Sequence, residues 1–223
     1  MMKTKKLSLA AGVSVCVLIA LLTAVYALLT DTPASAEKPV LPCDIEESFA
    51  KEAIVWAVEN GFMQAELSEG NAYFSPKREA TRGEIAKVLI TYLEIDVKAY
   101  ENTEIGFADE AKIPKALLPY VRAALSRGYI KLYADYTYRA ESPVSREETA
   151  DIFAPLCNMS VSAGKSERFS DFSEVSLYFE DNVKKIVDLD IMIGYPDGML
   201  RPKNTITREE LAMVLYRFAE LRQ

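Results

Sequence analysis

The sequence contains no histidine at all. That removes Ser-His-Asp and Cys-His nucleophilic sites, and histidine-ligated zinc, from consideration. Cysteine is scarce: Cys16, Cys43 and Cys157 are the whole supply, with no C-x-x-C spacing, so neither a metal site nor a cofactor is expected. Positive charge is in deficit as well. With 26 Lys and Arg against 33 Asp and Glu the formal net charge is −7, which speaks against a broad basic surface for nucleic acid. What is present is a folding composition, 50% apolar and 26% charged. Its 223 residues leave room for one large domain or several small modules around a shared core.

Lys3, Lys5 and Lys6 precede an uncharged, mostly apolar run from Leu7 to Thr30, and Ala34-Ser35-Ala36 then gives an A-x-A end. Basic start, apolar middle and small-residue end read as a secretory signal peptide over residues 1–36, cleaved after Ala36. The run is also just long enough to span a bilayer, so an uncleaved membrane anchor stays open. Either way the residues from Glu37 onward are placed outside the cytoplasmic membrane. Cys16 lacks the small residue expected before a lipidated cysteine. Cys43 and Cys157 would sit in a disulfide-permissive compartment, where pairing and two buried free thiols are both open.

Three stretches share one pattern: Thr81-Arg82-Gly83-Glu84, Ser145-Arg146-Glu147-Glu148 and Thr207-Arg208-Glu209-Glu210. Each reads as the first turn of a helix. The hydroxyl residue is the N-cap, and the Glu three positions on reaches back to the cap's own N–H, a capping box. Ala80, Val144 and Ile206 precede the caps. Apolar residues then recur in one phase: Ile85, Val88, Leu89, Tyr92; Ile152, Phe153, Leu156; Leu211, Val214, Leu215, Phe218. The arginine is the odd member, because a cation at the first helical position meets the positive end of the macrodipole, a penalty of roughly 0.3–1 kcal/mol. Its repetition leaves two readings. It pairs with a carboxylate of the neighbouring loop, or it joins the free N–H groups in holding an oxyanion.

The caps belong to longer repeats. Phe107-Ala108-Asp109 and Phe169-Ser170-Asp171 open the second and third units, and an apolar-periodic helix lies between each of these and its cap. The first unit offers a matching helix ending at Asn60-Gly61. Its loop to the cap is longer, through the polar stretch Glu66 to Ala72. In the third unit Asp190 stands where a terminating glycine stands in the other two. Pro155 should shorten the second capped helix, whereas Pro119, near a helix start, is tolerated. A helix-loop-helix unit of this size cannot bury its apolar face alone, so three must pack together. The economical assembly sets the capped helices side by side, with the preceding helices outside. In the third loop Tyr195-Pro196-Asp197-Gly198 is a tight turn that brings Gly194 and Arg201 toward Arg208.

Cap, turn and Phe-x-Asp start together resemble the S-layer homology family. The third unit is the closest match, through Phe169-Ser170-Asp171, Ile193-Gly194-Tyr195-Pro196-Asp197-Gly198 and Ile206-Thr207-Arg208-Glu209-Glu210. The second matches through Phe107-x-Asp109 and Ser145-Arg146-Glu147-Glu148; the first matches through its cap and lacks the Phe-x-Asp start. The resemblance implies an all-α chain whose three helix-loop-helix repeats, 37–102, 103–164 and 165–223, form a pseudo-threefold spindle around a central three-helix bundle. It also implies grooves between units that bind cell-wall polysaccharide, often a secondary polymer bearing a pyruvate ketal. It carries Arg82, Arg146 and Arg208 into those grooves as ligand-binding residues, with Asp109, Asp171, Gly194 and Gly198 as further candidates; the tight turn of the third loop adds Arg201. Thr81, Glu84, Ser145, Glu148, Thr207 and Glu210 are the structural caps. The aromatic that the family often has at the outer-helix start appears as Phe49 and Tyr178 but is Ala116 in the second unit.

The resulting expectation is a non-catalytic, secreted module of the cell wall or cell surface that anchors to an anionic secondary wall polymer or peptidoglycan-linked glycan. The alternative is an exported helical scaffold, or a membrane-to-wall tether, working through protein contacts. A wall hydrolase has little support, because capping already accounts for the repeated acids Glu84, Glu148 and Glu210.

Overall fold

The computed structural model describes residues 39–159 and 164–222. The apolar run, the cleavage signal and Cys16 lie outside the described residues. Among the described residues six α-helices carry the fold: α1 (Lys51–Glu59), α2 (Arg82–Tyr92), α3 (Leu118–Ser126), α4 (Arg146–Phe153), α5 (Glu180–Asp188) and α6 (Arg208–Glu220). A hairpin of β1 (Glu66–Ser68) and β2 (Asn71–Tyr73) is the one sheet among the described residues. The class is all-α. The polar loop of the first unit thus differs from expectation: its extra length is this antiparallel hairpin, turned at Glu69 and Gly70, both at positive φ. No helix of the described residues is long and apolar enough to cross a membrane.

Capping boxes start α2, α4 and α6, with Thr81, Ser145 and Thr207 each accepting from the N–H of the Glu three residues on. The outer helices α1, α3 and α5 end in a residue at positive φ: Gly61 (72°), Gly128 (69°) and Asp190 (57°). A left-handed residue there closes the last turn, and only glycine adopts it without steric cost. Pro155 ends α4 at Phe153 and tightens the chain into the 3₁₀ turn Ala154–Leu156.

The caps join in a closed circuit. Ala80 N–H donates to Ile206 O at 2.9 Å, Ile206 N–H to Val144 O at 2.9 Å, and Val144 N–H to Ala80 O at 3.1 Å. All three residues are fully buried. Farther along the same helices, the Phe218 ring meets Phe153 at 5.2 Å and Tyr92 at 5.6 Å. The capped helices therefore touch at both ends, hydrogen-bonded at their starts and apolar beyond.

Each outer helix packs on the capped helix of a neighbouring unit: α1 on α6, α3 on α2, and α5 on α4. An apolar stripe says that a face is buried, not what covers it, and the connecting segments are long enough to reach across. The first helix closes on the last, with Trp56 edge-on to Tyr216 at 5.3 Å.

Charged buttresses hold two of these junctions. Glu209, 2% exposed, accepts from Ser48 Oγ at 2.7 Å and Lys77 Nζ at 2.5 Å. Glu147, 6% exposed, accepts from Ser176 N and Oγ, both at 3.0 Å, and from Lys203 Nζ. The third junction has Gly83 in that helix position, where a Cβ would lie 2.5 Å from Leu117 Cδ2. Leucine against bare backbone replaces the ion pair there. Cys43 and Cys157 are both free, the first exposed and the second buried.

Candidate functional site

Arg82, Arg146 and Arg208 are 5%, 3% and 5% exposed, and each makes the same set of contacts in the loop of the following unit. Nε donates to a carbonyl: Arg82 to Tyr138 at 2.9 Å, Arg146 to Leu200 at 2.9 Å, Arg208 to Phe74 at 2.8 Å. Nη2 donates to a second: Arg82 to Lys131 at 2.8 Å, Arg146 to Ile193 at 2.9 Å, Arg208 to Gln64 at 2.7 Å. Nη1 faces the capping-box carboxylate of that unit. The Arg82–Glu148 and Arg146–Glu210 separations are both 3.5 Å, while Arg208 and Glu84 are in tight contact. The guanidinium thus turns away from the positive end of its own helix and is held by the next unit's loop carbonyls. The arginines are thus paired internally, with the next unit's capping-box Glu rather than with a carboxylate of its loop, and each lines a cleft.

A strained turn aims the accepting carbonyls. Ser75, Arg139 and Arg201 have φ of 57°, 59° and 54°, a region that non-glycine residues enter at a cost of about 1–3 kcal/mol. A carboxylate holds each one. Asp109 accepts from Tyr138 N–H and Arg139 N–H, both at 2.7 Å, and Asp171 from Leu200 N–H at 2.8 Å and Arg201 N–H at 2.6 Å. Asp44 does the same for Phe74 N–H at 2.8 Å and Ser75 N–H at 2.7 Å. The first unit therefore has its opening aspartate after all. It follows Pro42 rather than phenylalanine, and its spacing to the cap arginine, 38 residues against 37 in the other units, is the signal that could have found it. Both oxygens of Asp109 and of Asp171 are engaged by the backbone, so they act on the cleft through the carbonyls they position.

Three grooves result, numbered here by the unit that supplies the loop. The first has Arg208, Glu84, Gln64 and Lys87; the second Arg82, Glu148, Lys131, Asp151 and Tyr178; the third Arg146, Glu210, Ile193, Met213 and Phe49. Their volumes are about 170, 260 and 490 Å³. Gly194 stands in the wall of the third, its missing Cβ letting the Phe169 ring and Met199 O pack against the backbone. The turn at Gly198, φ 79°, carries Gly194 and Arg201 to Arg146 and not to Arg208, because the third unit's loop receives the arginine of the second unit's helix while Arg208 reaches the first unit's loop.

An aromatic ring sits on each guanidinium: Tyr133 over Arg82 at 4.4 Å, Tyr195 over Arg146 at 4.9 Å, Phe74 over Arg208 at 4.4 Å. On Tyr133 and Tyr195 a second cation lies at 4.2 Å, Arg139 and Arg201 respectively. The tyrosine hydroxyls donate to Glu148 and Glu210. Burial and that bond to Glu210 push the Tyr195 hydroxyl up to about 12. In the first groove Arg78 takes the hydroxyl's place, donating to both oxygens of Glu84. Burial opposes the charge of Glu84, but Arg78, Arg208 and the Thr81 N–H together hold its carboxyl below the usual range. The floors are thus prepaired donors and acceptors.

Two stretches of the chain, residues 106–150 and 168–212, match the S-layer homology domain family. The chain is 26% identical over 160 residues to Cell surface glycoprotein 1 of Acetivibrio thermocellus, covering 66% of this chain and 7% of that protein. It is 35% identical over 95 residues to the Cellulosome-anchoring protein of the same organism, covering 41% and 21%. To its Exoglucanase XynX it is 25% identical over 199 residues, covering 86% and 18%. The chain spans less than a quarter of the length of each of these relatives.

Proposed function

We propose that this chain is a non-catalytic cell-wall-binding module, displayed outside the cell, that anchors to an anionic secondary wall polysaccharide through the grooves between its units. The observation that carries the reading is the thrice-repeated guanidinium at a groove floor, with two nitrogens fixed by carbonyls and Nη1 beside a cleft. A ligand carboxylate, such as a pyruvate ketal, competes with the capping-box Glu for that nitrogen. A charge-assisted hydrogen bond is worth about 1.5–3 kcal/mol, and several grooves on one polymer add avidity. The tandem matches to the S-layer homology family, and relatives described as a cell surface glycoprotein and an anchoring protein, support the same reading.

The test is co-sedimentation with purified walls before and after extraction of the secondary polymer. Binding should vanish with the polymer, and Arg146→Lys, which keeps charge but loses the fork of donors, should bind at least tenfold more weakly with folding intact by circular dichroism. Equal sedimentation with extracted walls would refute the reading.

A further inference from the structure

The hairpin that lengthens the first unit has no counterpart among the described residues of the other two, and one of its edges is open. The two-residue turn Glu69-Gly70 makes Ser68 and Asn71 a hydrogen-bonded pair. Alternation makes Glu66 and Tyr73 the next such pair, and points the N–H and C=O of Leu67 and Ala72 outward. On the β2 side the Ala72 carbonyl accepts from the Cys43 N–H at 2.9 Å, so that edge is occupied. On the β1 side Leu67 has no backbone partner among the described residues, and all three β1 residues are exposed. The side chains alternate as well. Glu66 lies along the first groove, whereas Leu67, 74% exposed, stands at a separate apolar cleft of about 300 Å³ with Val40, Val58 and Met63. Val40 is itself 61% exposed.

We propose that the open edge of β1 pairs antiparallel with the same edge of a second copy of this chain, about a two-fold axis at Leu67. In that register the two copies exchange a pair of backbone hydrogen bonds, and Glu66 of each stands opposite the partner's Ser68. The strand is thus complementary to itself in charge. A one-residue slip would bring inward-turned backbone groups to the axis, and toward the start of β1 it would also set the two Glu66 charges face to face. Arg78, 4.0 Å from Glu66, offsets that acid further. The two Leu67 side chains meet on one face beside Val40 of each copy, covering apolar surface that the fold leaves bare. Exposed edges are commonly blunted by lysine or proline, and β1 has neither. A three-residue edge buries less than the about 1,200–2,000 Å² of stable complexes. Pairing is therefore weak between free chains and forms where chains stand side by side at about millimolar local concentration. It uses no groove-floor residue and so goes beyond the wall-binding reading.

The experiment uses residues 37–223, which carry the closed circuit of helices and the hairpin, with Cys43→Ser so that no disulfide through the exposed thiol contributes. Sedimentation velocity is run from about 10 μM to about 1 mM. The weight-average mass should climb from that of the monomer toward twice that value. Leu67→Lys, a change at an exposed position, should weaken the association at least tenfold without moving the thermal midpoint. Register is read by cross-linking. Glu66 and the partner's Ser68 would form a non-hydrogen-bonded pair with Cα atoms about 4.5 Å apart, within disulfide range. Oxidised Glu66→Cys/Ser68→Cys chains should therefore give dimers bridged between position 66 of one copy and position 68 of the other. Bridges joining like positions overturn the antiparallel register. A monomer at every concentration, which would leave the edge to some other extended segment, overturns the proposal, and so does association that Leu67→Lys leaves untouched.

Discussion

Arg208 and Glu84 stand 124 residues apart in sequence, and their side chains meet at the seam where the first unit closes on the third. Arg208 is buried, and Glu84 also takes both nitrogens of the Arg78 fork and the Thr81 N–H. Burial lowers the Arg208 guanidinium, and the Glu84 charge counters it. Removing one member of a buried pair strands the other, which costs about 3 kcal/mol or more. Glu84→Ala should therefore lower the urea midpoint more than Glu46→Ala, which touches only the exposed pair to Lys51.

The same carboxylate sets an acid dependence. Glu84 titrates lower in the fold than its ordinary 4.5, so near that pH the unfolded chain binds more protons than the folded one. Stability from this group is present above pH 4.5 and is lost as the pH falls through the folded value. Urea midpoints measured from neutral pH downward should fall below pH 4.5, and Glu84→Gln should flatten that part of the profile. An unchanged slope would show that other carboxylates carry it.

Asp44, Asp109 and Asp171 are predicted to be interchangeable in role. Each carboxylate accepts two successive backbone N–H groups and fixes a residue at positive φ. Hydrogen bonds to a charged acceptor contribute about 1.5–3 kcal/mol. Asp171→Ala should cost about 3 kcal/mol and release the Leu200 carbonyl from Arg146, weakening the third groove most. Asp44→Ala should cost a similar amount, and a negligible effect there would remove the first unit from the pattern.

The caps and their arginines were legible because a capping box is local: four consecutive residues state it in full. Which helix covers which was not legible, since the stripe of α1 is equally satisfied by α2 or by α6. Asp44 escaped for a related reason, Pro42 standing where the other units carry phenylalanine. The arginine's dual character also lay beyond local reading. A cation against a helix dipole says that a partner exists, but Glu84, Glu148 and Glu210 were already accounted for as caps. Only the closed circuit of units brings each of them to a neighbour's guanidinium.

Asp190 provides a sign test of backbone strain. It occupies the left-handed position held by glycine in the first two units, and its side chain pairs with Lys165 on the surface. Asp190→Gly loses that exposed pair, worth about 0–1 kcal/mol, and removes the cost of a side chain at positive φ. Asp190→Ala loses the same pair and keeps the strain. The glycine variant should therefore be about 1 kcal/mol more stable than the alanine variant by thermal or urea unfolding.

The exchange of helices between units makes the strongest claim about folding. Cutting the chain after residue 164 removes α5 and α6, and with them the partners of α4 and α1. Only the α2–α3 pair stays intact, and the cap circuit is broken at both Ala80 N–H and Val144 O. If each unit were its own hairpin, a two-unit fragment would keep two complete packed pairs and unfold cooperatively. With the packing seen here, it exposes the apolar stripes of α1 and α4 and should show no cooperative transition as a monomer. Adding the missing third unit as a separate polypeptide, residues 165–223, should restore one transition with an equimolar complex, because α5 and α6 carry the faces that α4 and α1 lack. A two-unit fragment that melts sharply as a monomer would overturn the exchanged packing.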